Sequence, residues 1–128
     1  MELFKRNACD LSEMIKNKEI SSAELTKSVF DRIKAVEGKV DAYLTLDEEN
    51  AMKKAAEIDE KLAKGEELSP LAGIPVGIKD NISTKGLRTT CASKMLGNYV
   101  PPFKAVRLIV SQRTSKLSPF TCSSAYFT

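Results

Sequence analysis

Apolar residues recur every three or four positions in three stretches of the first 65 residues, the spacing of one buried helix face. In the first stretch, DLSEMIKNKEI, Asp10 is a candidate N-cap. In the second, SSAELTKSVFDRIKAVEG, Ser21 and Glu24 fit a capping box, and Gly38 is expected to end the helix. The apolar stripes of these two predicted helices are Leu11, Met14 and Ile15, then Leu25, Val29, Ile33 and Val36.

A third helix is predicted to be capped by Asp47 and to end at Gly65. Its apolar stripe is Ala51, Ala55, Ile58 and Leu62. Two segments predict β-strands, the alternating VDAYLTLD at 40–47 and the apolar IPVGIK at 74–79. This order of elements, two helices, a strand, a third helix and a second strand, is typical of the N-terminal part of an α/β layered domain. Because a sheet needs more strands to bury both faces, the fold is expected to be incomplete within this chain.

Composition narrows the classes of protein that the sequence fits. With 128 residues, the chain is long enough for one ordinary domain, and its apolar content is normal for a soluble globular protein. It has no histidine, which excludes Ser-His-Asp and Cys-His chemistry within the chain, and its three cysteines lack metal-ligand spacing. No apolar run predicts a membrane span or a secretory signal, so we expect a cytoplasmic protein with reduced thiols.

Charge is distributed unevenly along the sequence. Residues 1–80 hold 13 basic and all 17 acidic side chains, whereas residues 81–128 hold seven basic side chains. These seven cations are scattered and are not interleaved with aromatic residues, which disfavours a nucleic-acid patch.

Lys79 and Asp80 arrive together at the end of the apolar run GIPVGIKDNI, residues 73–82. A lysine on a buried strand is costly unless it is paired or neutral. The residues alone leave two interpretations: the ammonium reaches water at the strand end, or a desolvated neutral amine acts as a base. Asp80 could pair with Lys79 or cap the following turn, and Asn81 is expected in that turn. Cys91 is interpreted as a small packing residue, because no base can be assigned to activate it.

The segment LAGIPVGIKDNISTKGLRTTCASKMLGNYVPPF, residues 71–103, resembles the amidase signature family. Within that family, TKGLRTTCASKML is most similar to the A subunits of glutamine-dependent, tRNA-dependent amidotransferases. The order of the N-terminal helices, DAYLTLDEENAMKKAAEID and PLAGIPV also matches, so the resemblance covers about residues 1–106. It implies the N-terminal part of an amidase signature fold, a mixed sheet covered by helices.

The resemblance also implies a reaction. Family members hydrolyse amides with a Ser-cisSer-Lys triad, and Lys79 matches the triad lysine. Both triad serines belong to a downstream glycine- and serine-rich segment of the family, and neither Ser123 nor Ser124 takes their role, since no glycine loop surrounds them. The chain by itself is therefore expected to be inactive.

Partners and cofactors follow from the same resemblance. Glutamine would be the ammonia donor, and the product would be Gln-tRNA(Gln) or Asn-tRNA(Asn), made from the misacylated tRNA within a heterotrimer. ATP and Mg²⁺ are expected at a partner subunit, so no cofactor or metal site and no membrane contact is assigned to this chain. Two alternatives remain: a general amidase of the family, and a non-catalytic fragment whose helices dock a partner subunit.

The sequence changes character near residue 104. Residues 107–128 contain eight Ser or Thr residues and neither an acidic residue nor glycine. We expect residues 1–106 to be the N-terminal part of an amidase domain and residues 107–128 to be a divergent, disordered tail. A frameshifted or truncated reading frame would explain the change, and the encoding DNA tests that hypothesis.

Overall fold

The structure is a computed structural model that describes residues 2–103. These residues form two compact units. The helical unit comprises residues 2–41 and 47–76, and the loop unit comprises residues 42–46 and 77–103. The expectations for residues 107–128 lie outside the described residues.

The helical unit contains all three predicted helices. They are α1 (Ala8–Lys16), α2 (Ser22–Val40) and α3 (Glu48–Ala63), and a short 3₁₀ helix at Leu3–Lys5 precedes them. No helix within residues 2–103 is long and apolar enough to cross a membrane.

The prediction that Asp10 caps α1 is wrong, because Asn7 is the N-cap. The Asn7 side-chain oxygen accepts a hydrogen bond from the backbone N–H of Asp10 at 2.8 Å. The Asn7 amide in turn donates to the Asp10 carboxylate at 2.9 Å. Asparagine and aspartate cap helices about equally well, and here the earlier residue takes the position, so the helix starts at Ala8.

The start of α2 follows the sequence pattern, whereas its end does not. The Ser21 hydroxyl accepts a hydrogen bond from the Glu24 backbone N–H at 3.0 Å, which confirms Ser21 as the N-cap. The predicted end at Gly38 is wrong, since α2 continues to Val40 and Asp41 adopts the left-handed conformation at φ 49°. A glycine inside a helix costs only about 1 kcal/mol, and aspartate tolerates the left-handed region better than most residues.

Asp47 precedes α3 as predicted, but its carboxylate accepts from the Asn50 side chain at 2.9 Å and makes no side-chain bond to the helix backbone. The helix ends at Ala63, and Gly65 follows with φ +78°, as a glycine beyond a helix C-terminus often does.

The predicted stripes build the core of the helical unit. Its central cluster of buried side chains is Leu3, Leu11, Ile15, Ile20 and Leu25. Four partly buried residues surround it: Met14, Val29, Leu62 and Ile74. Phe30, which the predicted stripe omitted, is only 1% exposed. These contacts come from every helix, so burial of the stripes orders the unit.

Polar contacts fasten the start of α2 within the helical unit. The Asp59 carboxylate accepts hydrogen bonds from the backbone N–H groups of Ser22 and Ala23 at 2.7 and 3.0 Å. The Ser22 hydroxyl donates to the Gly73 carbonyl at 2.7 Å. Gly73 lies so close that a Cβ on it would be 2.9 Å from the Ser22 Oγ.

Neither predicted strand is present, because no part of residues 2–103 is a β-strand. Leu44 and Leu46, expected on a buried strand face, are 49% and 40% exposed. Alternating apolar residues show which way side chains point from an extended chain, whereas a strand also needs a hydrogen-bonded neighbour. The α/β prediction is thus confirmed for its helices and unsupported for its sheet in the described part of the chain.

Backbone hydrogen bonds between residues 86–89 and residues 99–101 organise the loop unit. The Gly86 N–H donates to the Pro101 carbonyl at 3.2 Å, and the Thr89 N–H donates to the Tyr99 carbonyl at 3.0 Å. Arg88 adds side-chain bonds to the Leu44 carbonyl at 2.9 Å and the Thr45 hydroxyl at 3.2 Å. A second 3₁₀ helix spans Lys94–Leu96.

Candidate functional site

Lys79 lies in an irregular part of the loop unit, directly before a turn, and it is exposed. Its neighbours Ile78 and Asp80 are buried at 6% and 3% exposure. Exposed and buried residues therefore alternate from Gly77 to Asp80. In the described part of the chain the Lys79 ammonium reaches solvent, which fits the first of the two interpretations made from sequence. Its catalytic role stays a prediction.

Asp80 forms the densest polar cluster of the loop unit. Its carboxylate accepts hydrogen bonds from the backbone N–H of Thr90 at 2.7 Å and of Ala92 at 3.1 Å. It also accepts a short hydrogen bond from the Thr90 hydroxyl. Its backbone carbonyl accepts from the Cys91 N–H at 3.2 Å. We call these four residues, Asp80 and Thr90–Ala92, the Asp80 clamp.

The clamp gives the Asp80 carboxylate partners that neither interpretation from the sequence named. Asp80 is buried and Lys79 is exposed. Thr90 and Ala92 lie ten and twelve residues ahead of Asp80, so the carboxylate closes a loop across the residues between them. The turn itself is present, with the Ile82 N–H donating to the Lys79 carbonyl at 3.0 Å, and Asn81 lies in it as predicted.

Cys91 is exposed, so its assignment as a packing residue is wrong. Cys91 and Ala92 both have left-handed backbones, at φ 50° and 57°. This conformation is unfavourable for residues with a Cβ and persists where the surroundings impose it. Here it turns successive N–H groups toward Asp80, so the position of Cys91 in the clamp depends on its backbone.

Sequence reasoning missed the clamp, although one signal was available. Ile78 and Asp80 are two residues apart, so an extended chain that buries one also buries the other. A buried carboxylate then requires several donors, and Thr89–Thr90 lies within reach in the following polar segment. No group of three or more metal-ligating side chains occurs within residues 2–103.

Comparison with protein families gives a match to the family model described as Amidase, over residues 24–110. That range covers more than half of the chain and includes the Asp80 clamp and Lys79. It agrees with the resemblance seen in residues 71–103.

Curated relatives include the A subunit of the glutamyl-tRNA(Gln) amidotransferase of Carboxydothermus hydrogenoformans, 56% identical over 105 residues. The subunits of the same name from Desulforamulus reducens and Clostridium botulinum strain Hall are 52% and 53% identical over the same length. In each case the match covers 82% of this chain and 22% of the relative. The chain thus spans about a fifth of the length of the curated relatives it matches.

A solved structure with a similar fold comes from work on a vestigial protein complex and the evolutionary origins of an s-triazine catabolic enzyme. It superposes with a TM-score of 0.71 at 28% identity, over 75% of this chain and 21% of that one. An inhibitor-bound form of the same complex matches equally well. The family match, the curated relatives and the superposition agree, and the chain belongs to the amidase family.

Proposed function

We propose that residues 2–103 are the N-terminal part of a glutaminase subunit that supplies ammonia to a tRNA-dependent amidotransferase. The observation that carries the proposal is the 56% identity to the corresponding subunit of such an enzyme, over 82% of the chain. The structure adds a lysine at a fixed point, between two buried neighbours and beside the Asp80 clamp.

Lys79 is the catalytic residue that this chain contributes. In the proposed Ser-cisSer-Lys triad, its neutral amine accepts a proton that the nucleophilic serine releases through the relay serine. The serine oxygen attacks the side-chain amide carbon of glutamine, and backbone N–H groups hold the resulting oxyanion. The proton then returns to the leaving nitrogen, ammonia departs, and water hydrolyses the acyl-enzyme to glutamate.

The reaction places two demands on groups outside residues 2–103. The serines and the oxyanion donors must come from other parts of an amidase domain. Lys79 must also be covered, because an exposed lysine remains protonated at neutral pH and cannot accept a proton. The proposal therefore includes a dry environment for Lys79 in the assembled enzyme.

The further partners are proposed on the names of the relatives. Those names describe one subunit of an amidotransferase, which implies other subunits. Ammonia would pass to one that activates Glu-tRNA(Gln) or Asp-tRNA(Asn) with ATP and Mg²⁺. No cofactor is assigned to this chain, and the proposed location is the cytoplasm. A general amidase is the second candidate, favoured by the match to the family model described as Amidase.

A chimera tests the proposal. Residues 1–103 of this chain replace the matching segment of the Carboxydothermus hydrogenoformans relative, which is produced with its partner subunits and assayed for glutamine hydrolysis. We expect Lys79→Ala to abolish hydrolysis. Lys79→Arg should fail as well, because guanidinium stays charged at neutral pH. Lys85→Ala is the matched control, since Lys85 is another exposed lysine of the loop unit.

The outcomes separate the candidates. Near-full activity in either Lys79 variant would refute the assignment, and an inactive chimera beside an active unmodified relative would favour a non-catalytic role. Hydrolysis of simple amides but not of glutamine would favour a general amidase.

Cys91→Ala should keep more than about a tenth of the activity, since its side chain is exposed. The 128-residue chain alone should show none, because loss of a triad nucleophile costs on the order of a millionfold.

A further inference from the structure

We propose that Asp80 is a positioning residue, whose clamp on Thr90 and Ala92 fixes the direction in which Lys79 presents its amine. This inference rests on the proposed function, because it assigns Asp80 a part in the same reaction. It concerns a residue that touches no reacting atom: Asp80 is 3% exposed and its carboxylate is committed to the protein.

The backbone around Lys79 is held on both sides. Ile78 is buried before it, Asp80 is buried after it, and the Lys79 carbonyl closes the turn to the Ile82 N–H at 3.0 Å. The ammonium itself makes no hydrogen bond or ion pair with any residue of 2–103. The orientation of Lys79 is therefore set through its main chain, in which the Asp80 clamp is the strongest polar restraint.

The chemistry of the clamp requires a carboxylate. Three donors converge on it, the N–H groups of Thr90 and Ala92 and the Thr90 hydroxyl. One carboxylate oxygen serves the Thr90 N–H and the other serves both remaining donors. An asparagine would place an NH₂ group where one oxygen stands, so that a donor would face a donor. Asp80→Asn keeps the shape of the side chain while breaking one side of the clamp.

The loop that the clamp holds is under conformational tension. Cys91 and Ala92 both occupy the left-handed region, where a residue with a Cβ does not remain without restraint. Release of the Ala92 N–H would let this loop relax and would loosen the main chain next to Lys79. Displacement of a catalytic group by about 1 Å can cost about 100-fold in rate.

The test uses the chimera with its partner subunits. Asp80→Asn should lower kcat for glutamine hydrolysis about 10- to 100-fold and leave KM within about twofold, because the binding of glutamine does not depend on the Lys79 amine. Asp59→Asn is the matched control. Asp59 also accepts two backbone N–H bonds, but it does so at the start of α2 in the helical unit. Both variants should lower the thermal midpoint, and only Asp80→Asn should lower kcat.

A milder variant covers the case in which Asp80→Asn does not fold. Thr90→Val removes the hydroxyl bond, keeps the backbone bond and preserves the side-chain shape, so kcat should fall several-fold in a folded protein. The inference is overturned if Thr90→Val and a folded Asp80→Asn keep the parent kcat, or if Asp59→Asn lowers kcat equally. If either result is found while Lys79→Ala is inactive, only the role of Asp80 is refuted. If Lys79→Ala is active, the proposed function itself is refuted.

Discussion

The helical unit and the loop unit are ordered by different interactions. Proline aside, nine of the ten buried apolar residues within residues 2–103 belong to the helical unit, and only Ile78 belongs to the loop unit. Each unit also buries three polar residues, Ser12, Ser22 and Thr26 in the helical unit and Asp80, Thr89 and Thr90 in the loop unit, so only in the loop unit do polar residues outnumber apolar ones. Apolar burial is spread over many contacts, whereas a polar cluster depends on a few directed bonds. The candidate catalytic lysine lies in the unit where single bonds decide the geometry.

The largest expected effect is in the helical unit. Phe30→Ala should destabilise it by about 3–5 kcal/mol, because Phe30 is 1% exposed and its removal leaves a cavity. Hydrogen exchange of α2 amides in the chimera should then accelerate about 100-fold or more. Val40→Ala is the control, at 61% exposure, and should change stability by less than about 0.5 kcal/mol. Equal destabilisation by the two variants would contradict the conclusion that apolar burial stabilises the helical unit.

Gly73→Ala should have the next largest effect, about 2–4 kcal/mol. Gly73 has φ +83°, and a Cβ there would be 2.9 Å from the Ser22 Oγ and 3.1 Å from the Ile58 Cγ2. Strain in the backbone and overpacking therefore add. Gly65→Ala isolates the first contribution, since Gly65 has φ +78° with nothing within 4 Å, and should cost about 1 kcal/mol. Hydrogen-exchange rates of α2 and α3 amides measure the destabilisation in both variants. Equal destabilisation by Gly73→Ala and Gly65→Ala would show that the close contact at Gly73 contributes nothing.

A smaller effect is expected for Arg88→Lys in the loop unit. The Arg88 Nη2 donates to the Leu44 carbonyl at 2.9 Å and the Thr45 hydroxyl at 3.2 Å, and its Nη1 donates to the Gly97 carbonyl at 3.5 Å. The single nitrogen of a lysine cannot reproduce bonds from two separated nitrogens. The loss should be about 1 kcal/mol and should appear as faster exchange of the Thr89 amide, which bonds to Tyr99. Lys85→Ala, which removes a neighbouring cation, should leave that amide unchanged. Faster exchange of the Thr89 amide in both variants would indicate that the net charge of the loop unit, and not the directed bonds of Arg88, protects this amide.

The smallest effect is expected for Glu49→Gln on the surface of α3. The hydrogen bond from Lys53 at 2.6 Å lowers the pKa of Glu49. A lowered carboxyl pKa stabilises the fold above the ordinary pKa of glutamate, and that contribution is lost as the pH falls through the lowered value. Because the pair is fully exposed, water screens it, and the unfolding midpoint should not change measurably. A clear shift of the unfolding midpoint in Glu49→Gln would mean that surface ion pairs contribute measurably to the stability of the helical unit, in addition to its apolar core.

The sequence predicted what depends on near neighbours. Ser21 and Glu24 are three residues apart, and the stripe through Leu25 and Ile33 repeats within one helix, so local spacing was sufficient. The amidase resemblance of residues 71–103 was confirmed by the family match.

The rest depends on contacts between distant parts of the chain. The Asp80 clamp joins residues ten and twelve positions apart through an irregular loop, for which no periodic pattern exists. The strand predicted at 74–79 failed for a related reason, because its apolar sequence describes burial but cannot supply a neighbouring strand. For Lys79, the sequence predicted its position at the end of an apolar run, and its catalytic role still awaits the kinetic test.

The alternation through Ile78, Lys79 and Asp80 also limits how the length of this chain can change. One residue inserted between Ile78 and Asp80 would exchange the inward and outward positions that follow it, turning the carboxylate outward and a different side chain inward. An insertion in the exposed Lys85–Gly86 turn would break the turn bond from the Leu87 N–H to the Thr84 carbonyl but would leave the alternation around Lys79 unchanged. Length variation among related sequences should therefore be found between Asp80 and Thr89 and be absent from the three residues that hold the lysine.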